Sequence, residues 1–336
     1  MAVAITQKQR LLTIETSLGT DVLLVQGFNA TEHLSGLFYL NIELMAERSK
    51  ADQVKPESLL GTLATLTVAL DDDFSGGKMR IFNGVVKKFS LGSQDERFCY
   101  YSMQLVPWSW LLSQKADCRV FQDLSALDII KKIFDDIKGK FSSLVKYKDA
   151  TTKSYTKLDY CVQYRESDLN FVSRLMEEEG IFYFFKHTKS GHELVLADSA
   201  EACEACEHQS EVRFAPEGGV DEREKDVVLS WNSQQEIHPG KHVLRDYHFQ
   251  MPGKLLEVNE TTKKAVGESS KLEVYDYPGE YALRFNKPDE RLGDVEKEGQ
   301  ALIKPRIEAE DAAVPETAGT STVRTFVTGA TFKLQK

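Results

Sequence analysis

The apolar positions of this chain change period several times, and the changes predict its elements. From Arg10 to Val106 the pattern is that of β structure. LLTIETSLGTDVLLVQGFNA carries apolar runs split by a turn at Gly19, and Leu37–Ala46 (LFYLNIELMA) alternates apolar with polar residues. Leu59–Leu70 and Arg80–Phe89 continue the pattern on either side of the acidic turn Asp71–Lys78. Five or more antiparallel strands with short turns predict a small barrel or sandwich. Pro107 ends the last of them, and Trp108 and Trp110 behind it are expected as wedge residues between two domains rather than a ligand platform.

The period then lengthens to that of a helix. Ser125 and Asp128 have the spacing of a capping start, and Leu127, Ile130, Ile133, Phe134 and Ile137 follow at helical intervals as far as Gly139. Lys140–Thr156 is polar and reads as a loop. In Lys157–Lys186 (KLDYCVQYRESDLNFVSRLMEEEGIFYFFK), Leu158, Cys161 and Tyr164 give way at Ser167, a good N-cap, to a helix with Leu169, Val172 and Met176 on one face. Gly180 stops that helix, and Ile181–Phe185 is a β-branched and aromatic run that predicts a buried strand. His192–Ala197, after the KSG turn, is expected to pair with it as a hairpin. Residues 116–200 therefore read as an α+β domain.

Beyond Ala200 the stretch AEACEACEHQSEVRFAPEGGVDEREKD is acidic and aperiodic, a linker or excursion. Alternation resumes at Val227 in VVLSWNSQQEI and KHVLRDYHF, as expected of a second β domain. Asp289–Ala312 is charged and partly helical, with an interruption expected at Pro305, and two short strands around Gly329 end the chain. The fold class is thus α+β, mostly β.

A length of 336 residues allows about two domains, and 41% hydrophobic with 10% aromatic residues is a globular composition. No basic-then-apolar leader opens the chain, and no apolar run approaches the roughly 18 residues of a membrane span, so it is expected to start in the cytoplasm. The net charge of −10 argues against nucleic acid as a partner. Five cysteines, an odd number at irregular spacing, argue against a disulfide framework.

Candidate chemistry is sparse. The sequence has no G-x-S-x-G elbow, no phosphate-binding G-x-x-x-x-G-K-[ST] loop and no G-x-G-x-x-G. Asp71, Asp73, Ser75 and Gly76 imitate the start of an EF-hand loop, but Phe82 stands where a bidentate Glu is needed, so a hairpin turn is the simpler reading. His192 and Glu193 begin a zinc-protease pair, yet Leu196 replaces the second histidine. Glu177, Glu178 and Glu179 with Asp168 are the best acid and base candidates for glycoside chemistry. Three carboxylates on the last turn of a helix oppose its macrodipole at about 0.3–1 kcal/mol each. Arg165, Arg174 or Lys186 would offset them as ordinary ion pairs. Cys203, Cys206 and His208 form the one metal-like constellation, lacking a fourth ligand of recognisable spacing unless His187 or His192 approaches; the plain reading is a surface loop with two free thiols. Three classes remain: a hydrolase, for which no catalytic group is found; a carbohydrate-binding or adhesion module, whose aromatics ought to lie in loops; and a structural assembly protein.

YCVQYRESDLNFVSRLMEEEGIFYFF, together with LVPWSWLLSQKADCRVFQDLSALDIIKKIF (Leu105–Phe134), resembles the VgrG proteins of the bacterial type VI secretion system and the related baseplate hubs of contractile-tail phages. The resemblance runs from about Phe28 to the last residue and is weaker after Ala200. It implies two β-barrel-like hub domains, residues 1–115 and 201–336, around the α+β domain at 116–200, the second barrel carrying an inserted, partly helical segment near 250–310. It further implies a homotrimer whose pseudo-six-fold face caps a hexameric tube and meets baseplate proteins and effector or spike-tip proteins. Such a hub needs no cofactor, no metal and no catalytic residue. It is cytoplasmic before firing and is then driven into a target cell or the medium. VQYRESDLNFVSRLMEEEG favours the secretion branch over a phage or prophage hub. Family members continue past the counterpart of Phe326–Leu334 (FVTGATFKL) into an oligonucleotide/oligosaccharide-binding-type domain and a long β-helical spike, so the spike is expected from a further segment or a separate chain.

Overall fold

The alternation at the start of the chain becomes one curled sheet. Its strands are β1 (Leu12–Glu15), β2 (Leu24–Thr31), β3 (Tyr39–Glu47), β4 (Leu63–Ala69), β5 (Met79–Gln94) and β6 (Phe98–Val106), with a single helical turn, α1 (Pro56–Leu59), leading into β4. They lie in the order β1-β4-β5-β6-β3-β2, every neighbour antiparallel. The edge strands β1 and β2 return into contact, so the sheet closes to a half-barrel. In β3, Leu40, Ile42, Leu44 and Ala46 are buried while Asn41 and Glu43 face solvent, the period-two division that fixes register. The structure, a computed structural model, describes residues 5–70, 77–216, 226–285, 291–314 and 316–335. Asp71, Asp73, Ser75 and Gly76 lie outside the described residues.

The middle of the chain adds β7 (Ala116–Phe121), β8 (Leu124–Ser125), α2 (Ala126–Lys140), β9 (Tyr147–Asp149), β10 (Lys157–Leu158), β11 (Cys161–Ser167), α3 (Asp168–Glu179), β12 (Phe182–Thr188) and β13 (Gly191–Ala197). Ser125 and Asp128 make a full capping box: the Ser125 hydroxyl accepts from the Asp128 N–H, and the Asp128 carboxylate accepts from the Ser125 N–H. Ser167 caps α3 by accepting from Asn170 N–H, and Gly180 closes the helix at φ 68°, a left-handed backbone suited to glycine. β12 and β13 pair antiparallel from Phe182↔Ala197 to Thr188↔Gly191, the expected hairpin. The polar stretch at 140–156, expected as a loop, contributes β9, which pairs parallel to β13. One continuous cluster of buried side chains runs from Ile14 to Leu196, across residue 115.

The remaining β structure is divided among three small sheets. These join β14 (Glu211–Arg213) to β20 (Lys333–Gln335), β15 (Val228–Gln234) to β19 (Glu316–Ser321), and β16 (Lys241–Asp246) to β17 (Leu256–Thr261) and β18 (Glu273–Asp276). Helix α4 (Val295–Ala312) packs on β16 and β17. The interruption expected at Pro305 does not occur: α4 runs through it. A side chain at Gly180 would come within 3.0 Å of the Pro305 ring, so the ring is accommodated where α3 ends in a residue without one. Among the described residues no helix is long and apolar enough to cross a membrane.

Candidate functional site

Polar side chains are buried at several places, and two of these are junctions between elements. The first joins the half-barrel to the β12–β13 hairpin. His192 is 1% exposed; its Nδ1 lies 2.9 Å from Asn83 Oδ1, and its Nε2 accepts from the Trp108 N–H at 2.7 Å. Because Nε2 must accept, the proton sits on Nδ1 and the ring is neutral. Burial first, then the charges of His187 and Lys146, hold the His192 pKa well below the ordinary histidine value of 6.5. His187 accepts from Asn83 N–H through Nδ1 and turns Nε2 to Glu32 at 3.4 Å. Burial pushes the Glu32 carboxyl up, but the His187 hydrogen bond and the Arg80 guanidinium at 2.8 Å outweigh it and hold the pKa below its usual value.

A pH dependence follows, with its sign. His192 has a depressed folded pKa, so below about pH 6.5 the unfolded chain takes up a proton that the fold refuses. Stability should be flat above pH 6.5 and fall below it by up to about 1.4 kcal/mol per unit. Glu32 adds a second loss, starting near its unfolded value of 4.5. Urea midpoints across pH 4–8, with the His192 ring followed by NMR, check this; a ring that titrates near pH 6.5 in the folded protein contradicts it.

The second junction joins α3 to the C-terminal region. Arg284, 8% exposed, donates to Glu179 Oε1 at 2.7 Å, to Glu298 Oε1 at 2.8 Å and to Glu178 Oε2 at 3.4 Å. Burial opposes the Arg284 charge, yet the carboxylates more than restore it and raise its pKa; burial also raises that of Glu179 despite the guanidinium. Beside this cluster lies a cleft of about 1020 Å³ whose lining includes Tyr160, Val162, Cys161, Leu283 and Pro305. Burial pushes the Cys161 thiol up to about 11, so it is not a thiolate nucleophile at neutral pH.

The carboxylate candidates are not brought together. Asp168 starts α3 and is buried against Arg119, Gln163 Nε2 at 2.8 Å and Lys115 at 3.6 Å. Glu178 lies ten residues along the same helix, about 15 Å away by its rise, outside the roughly 5–9.5 Å of paired glycosidase carboxylates. Glu177 is exposed. The charge that answers Glu178 and Glu179 is Arg284, with Arg174 at 3.5 Å from Glu178; Lys186 pairs instead with Glu204, and Arg165 lies over the Tyr164 ring. Sequence reasoning missed Arg284 because it is 105 residues from Glu179. Cys203 is half-buried, Cys206 is buried with its N–H on Thr331 O, and His208 has Glu207 at 3.7 Å. Among the described residues no three His, Cys, Asp or Glu side chains are grouped to hold a metal. Trp108 is fully buried, edge-on to Phe134 of α2, while Trp110 is half-buried under Lys87.

Comparison with known proteins places this architecture. The chain is 36% identical over 331 residues to the type VI secretion system spike protein VgrG1b of Pseudomonas aeruginosa, covering 98% of this chain and 41% of the relative. It is 37% identical over 303 residues to VgrG1c of the same organism, covering 90% and 38%. It thus spans less than half the length of these curated relatives. Among solved structures, the E. coli c3393 protein, described as a type VI secretion component similar to the T4 bacteriophage tail proteins gp27 and gp5, superposes with a TM-score of 0.50 at 20% identity, covering 64% of this chain and 56% of that one. That likeness extends to the fold. The model of the phage tail baseplate hub (GPD) family matches residues 31–336, and the chain belongs to that family.

Proposed function

We propose that this chain is the hub portion of a type VI secretion spike: a homotrimer that seats on a hexameric tube, meets baseplate proteins, and is carried with effector or spike-tip proteins across a target envelope. The observation that carries this reading is the 36% identity to a type VI secretion spike protein along 98% of the chain. The physical character of the site supports it. Its buried polar groups tie one element to another, as in a part that must transmit force without yielding. Residues 1–115 and 201–336 would contribute the two ring-forming β regions, with 116–200 outside them, and the chain would reside in the cytoplasm until firing. No residue acts as a catalyst in this account.

Light scattering across a concentration series tests the assembly: the expected mass is three times 38.0 kDa. Cosedimentation with a hexameric tube protein tests the seat. A monomer at every concentration that also fails to sediment with the tube overturns the reading.

A further inference from the structure

The cleft beside the Arg284 cluster is lined by α3 and β11 and, from the C-terminal region, by α4 and residues 279–284. Three large apolar side chains in its lining are left well exposed: Tyr160 at 49%, Val162 at 37% and Leu283 at 55%. Apolar surface rimmed by polar residues marks a place of contact. The charges around it select what makes that contact. Seven charged residues line the cleft, and its three arginines are all engaged. Arg174 is held by Glu166 and Glu178, Arg284 by Glu178, Glu179 and Glu298, and Arg306 by Asp276 at 2.9 Å. The lining residues left without an ion pair are Glu177 of α3, Glu280 and Glu308 of α4, each of them exposed. Both helices also end at the cleft, contributing Gly180 and Ala312, and neither has a basic residue in its last turn, where the helix is partly negative. Lys264 answers the end of α4 by donating to the Asp311 and Val314 carbonyls, and Arg284 answers Glu178 and Glu179. The unanswered charge is negative on every side of the apolar surface.

We propose that this cleft is the docking groove for a basic amphipathic helix of a partner protein, its apolar face on Tyr160, Val162 and Leu283 and its cations among Glu177, Glu280 and Glu308. A helix fits because it satisfies its own backbone. A strand laid along β11 would need the Val162 carbonyl, which Arg174 Nη2 already takes at 3.3 Å. A lone metal ion does not fit, since among the described residues no carboxylates are grouped to hold one. A second copy of the chain, itself carrying −10, has the wrong overall sign for this rim. The proposal rests on the hub reading only for the class of partner, a protein assembled with the hub or carried by it; the recognition chemistry comes from the cleft itself.

The probe is a fluorescein-labelled peptide of roughly 15 residues with leucine at helical spacing and lysine elsewhere, titrated with the full chain and followed by fluorescence anisotropy. Its counterpart has glutamate for lysine. The lysine probe should bind the wild type and the glutamate probe should not. Glu177→Lys with Glu308→Lys should weaken binding by at least about tenfold, an effect that shrinks with added salt. The charge-matched control, Glu96→Lys with Glu236→Lys at exposed positions outside the cleft, should bind as the wild type does. Tyr160→Ser with Val162→Ser leaves the charge alone and should weaken binding severalfold. Far-UV CD should be the same for all four proteins. A wild type that ignores the lysine probe, equal affinities for the cleft and control charge variants, or an unaffected serine variant overturns the groove. Light scattering on the same samples separates the other failures. A cleft charge variant that alone loses the trimeric mass makes the cleft a contact between copies and overturns the foreign partner. A wild type of 38.0 kDa at every concentration overturns the hub reading, while the probe titration still decides the groove.

Discussion

Replacing Trp108 with alanine should lower the free energy of unfolding by about 3–5 kcal/mol, the range for large aromatic deletions in a packed core. The indole is fully buried where β6 ends, set edge-on to Phe134 of α2 with ring centroids 5.1 Å apart. It does more than fill space. Its Nε1–H donates to Lys146 O at 2.9 Å, a carbonyl that also accepts from Leu194 N–H at 3.0 Å, so truncation leaves a void and removes one of that carbonyl's two donors. The backbone N–H of the same residue holds His192 in its neutral form, which ties the cavity to the half-barrel junction. Trp110 is the internal control. It is half-buried with Lys87 Nζ 5.1 Å from its ring, so its alanine variant should cost about 1 kcal/mol, the size of an exposed cation–π contact plus partial burial. Urea denaturation with an unchanged m value measures both. Near-equal losses at the two positions contradict the wedge assignment for Trp108.

What could be read from the sequence is what acts locally. Ser125, Ser167 and Gly180 satisfy or end backbone hydrogen bonding within four residues of themselves, so their spacing carries the signal, and all three stand where the pattern put them. The β12–β13 hairpin follows for the same reason: its two strands are joined by a short turn and alternate in register. Signals fail where the partner is remote. β9 is three residues in a polar stretch and exists because β13 offers it an edge. Pro305 reads as a helix break, and no local feature of α4 tells that the ring lies against Gly180, 125 positions earlier. The carboxylates of α3 posed the right question, since like charges at a helix C-terminus need an answering cation. Three nearby basic residues were available to answer it; two turn elsewhere, and the decisive one comes from 284. The candidate pair of Asp168 and Glu178 fails on the same helix geometry that the sequence predicts, because opposite ends of three turns cannot face one substrate.

Arg284→Met should be as costly as the loss of Trp108, about 3–5 kcal/mol, because breaking a buried ion cluster from one side leaves uncompensated charge. Glu179 comes from α3 and Glu298 from α4, so the guanidinium is the cation that lets these two helices meet. Of the α3 glutamates Arg174 reaches Glu178, at 3.5 Å, while its closer pair is Glu166 at 2.8 Å. The pH dependence separates charge from packing. Burial already raises the Glu179 pKa above 4.5, and a group with a raised folded pKa gives its stability at low pH and loses it as pH rises through that value. Without Arg284 the pKa rises further, so the deficit of the variant should be largest at pH 7 and shrink toward pH 5. Adding Glu179→Gln and Glu298→Gln to Arg284→Met removes the buried charges themselves and should recover most of the loss at pH 7. If the triple variant is no more stable than Arg284→Met, the arginine acts through the volume of its stem rather than its charge, and the junction is held by packing.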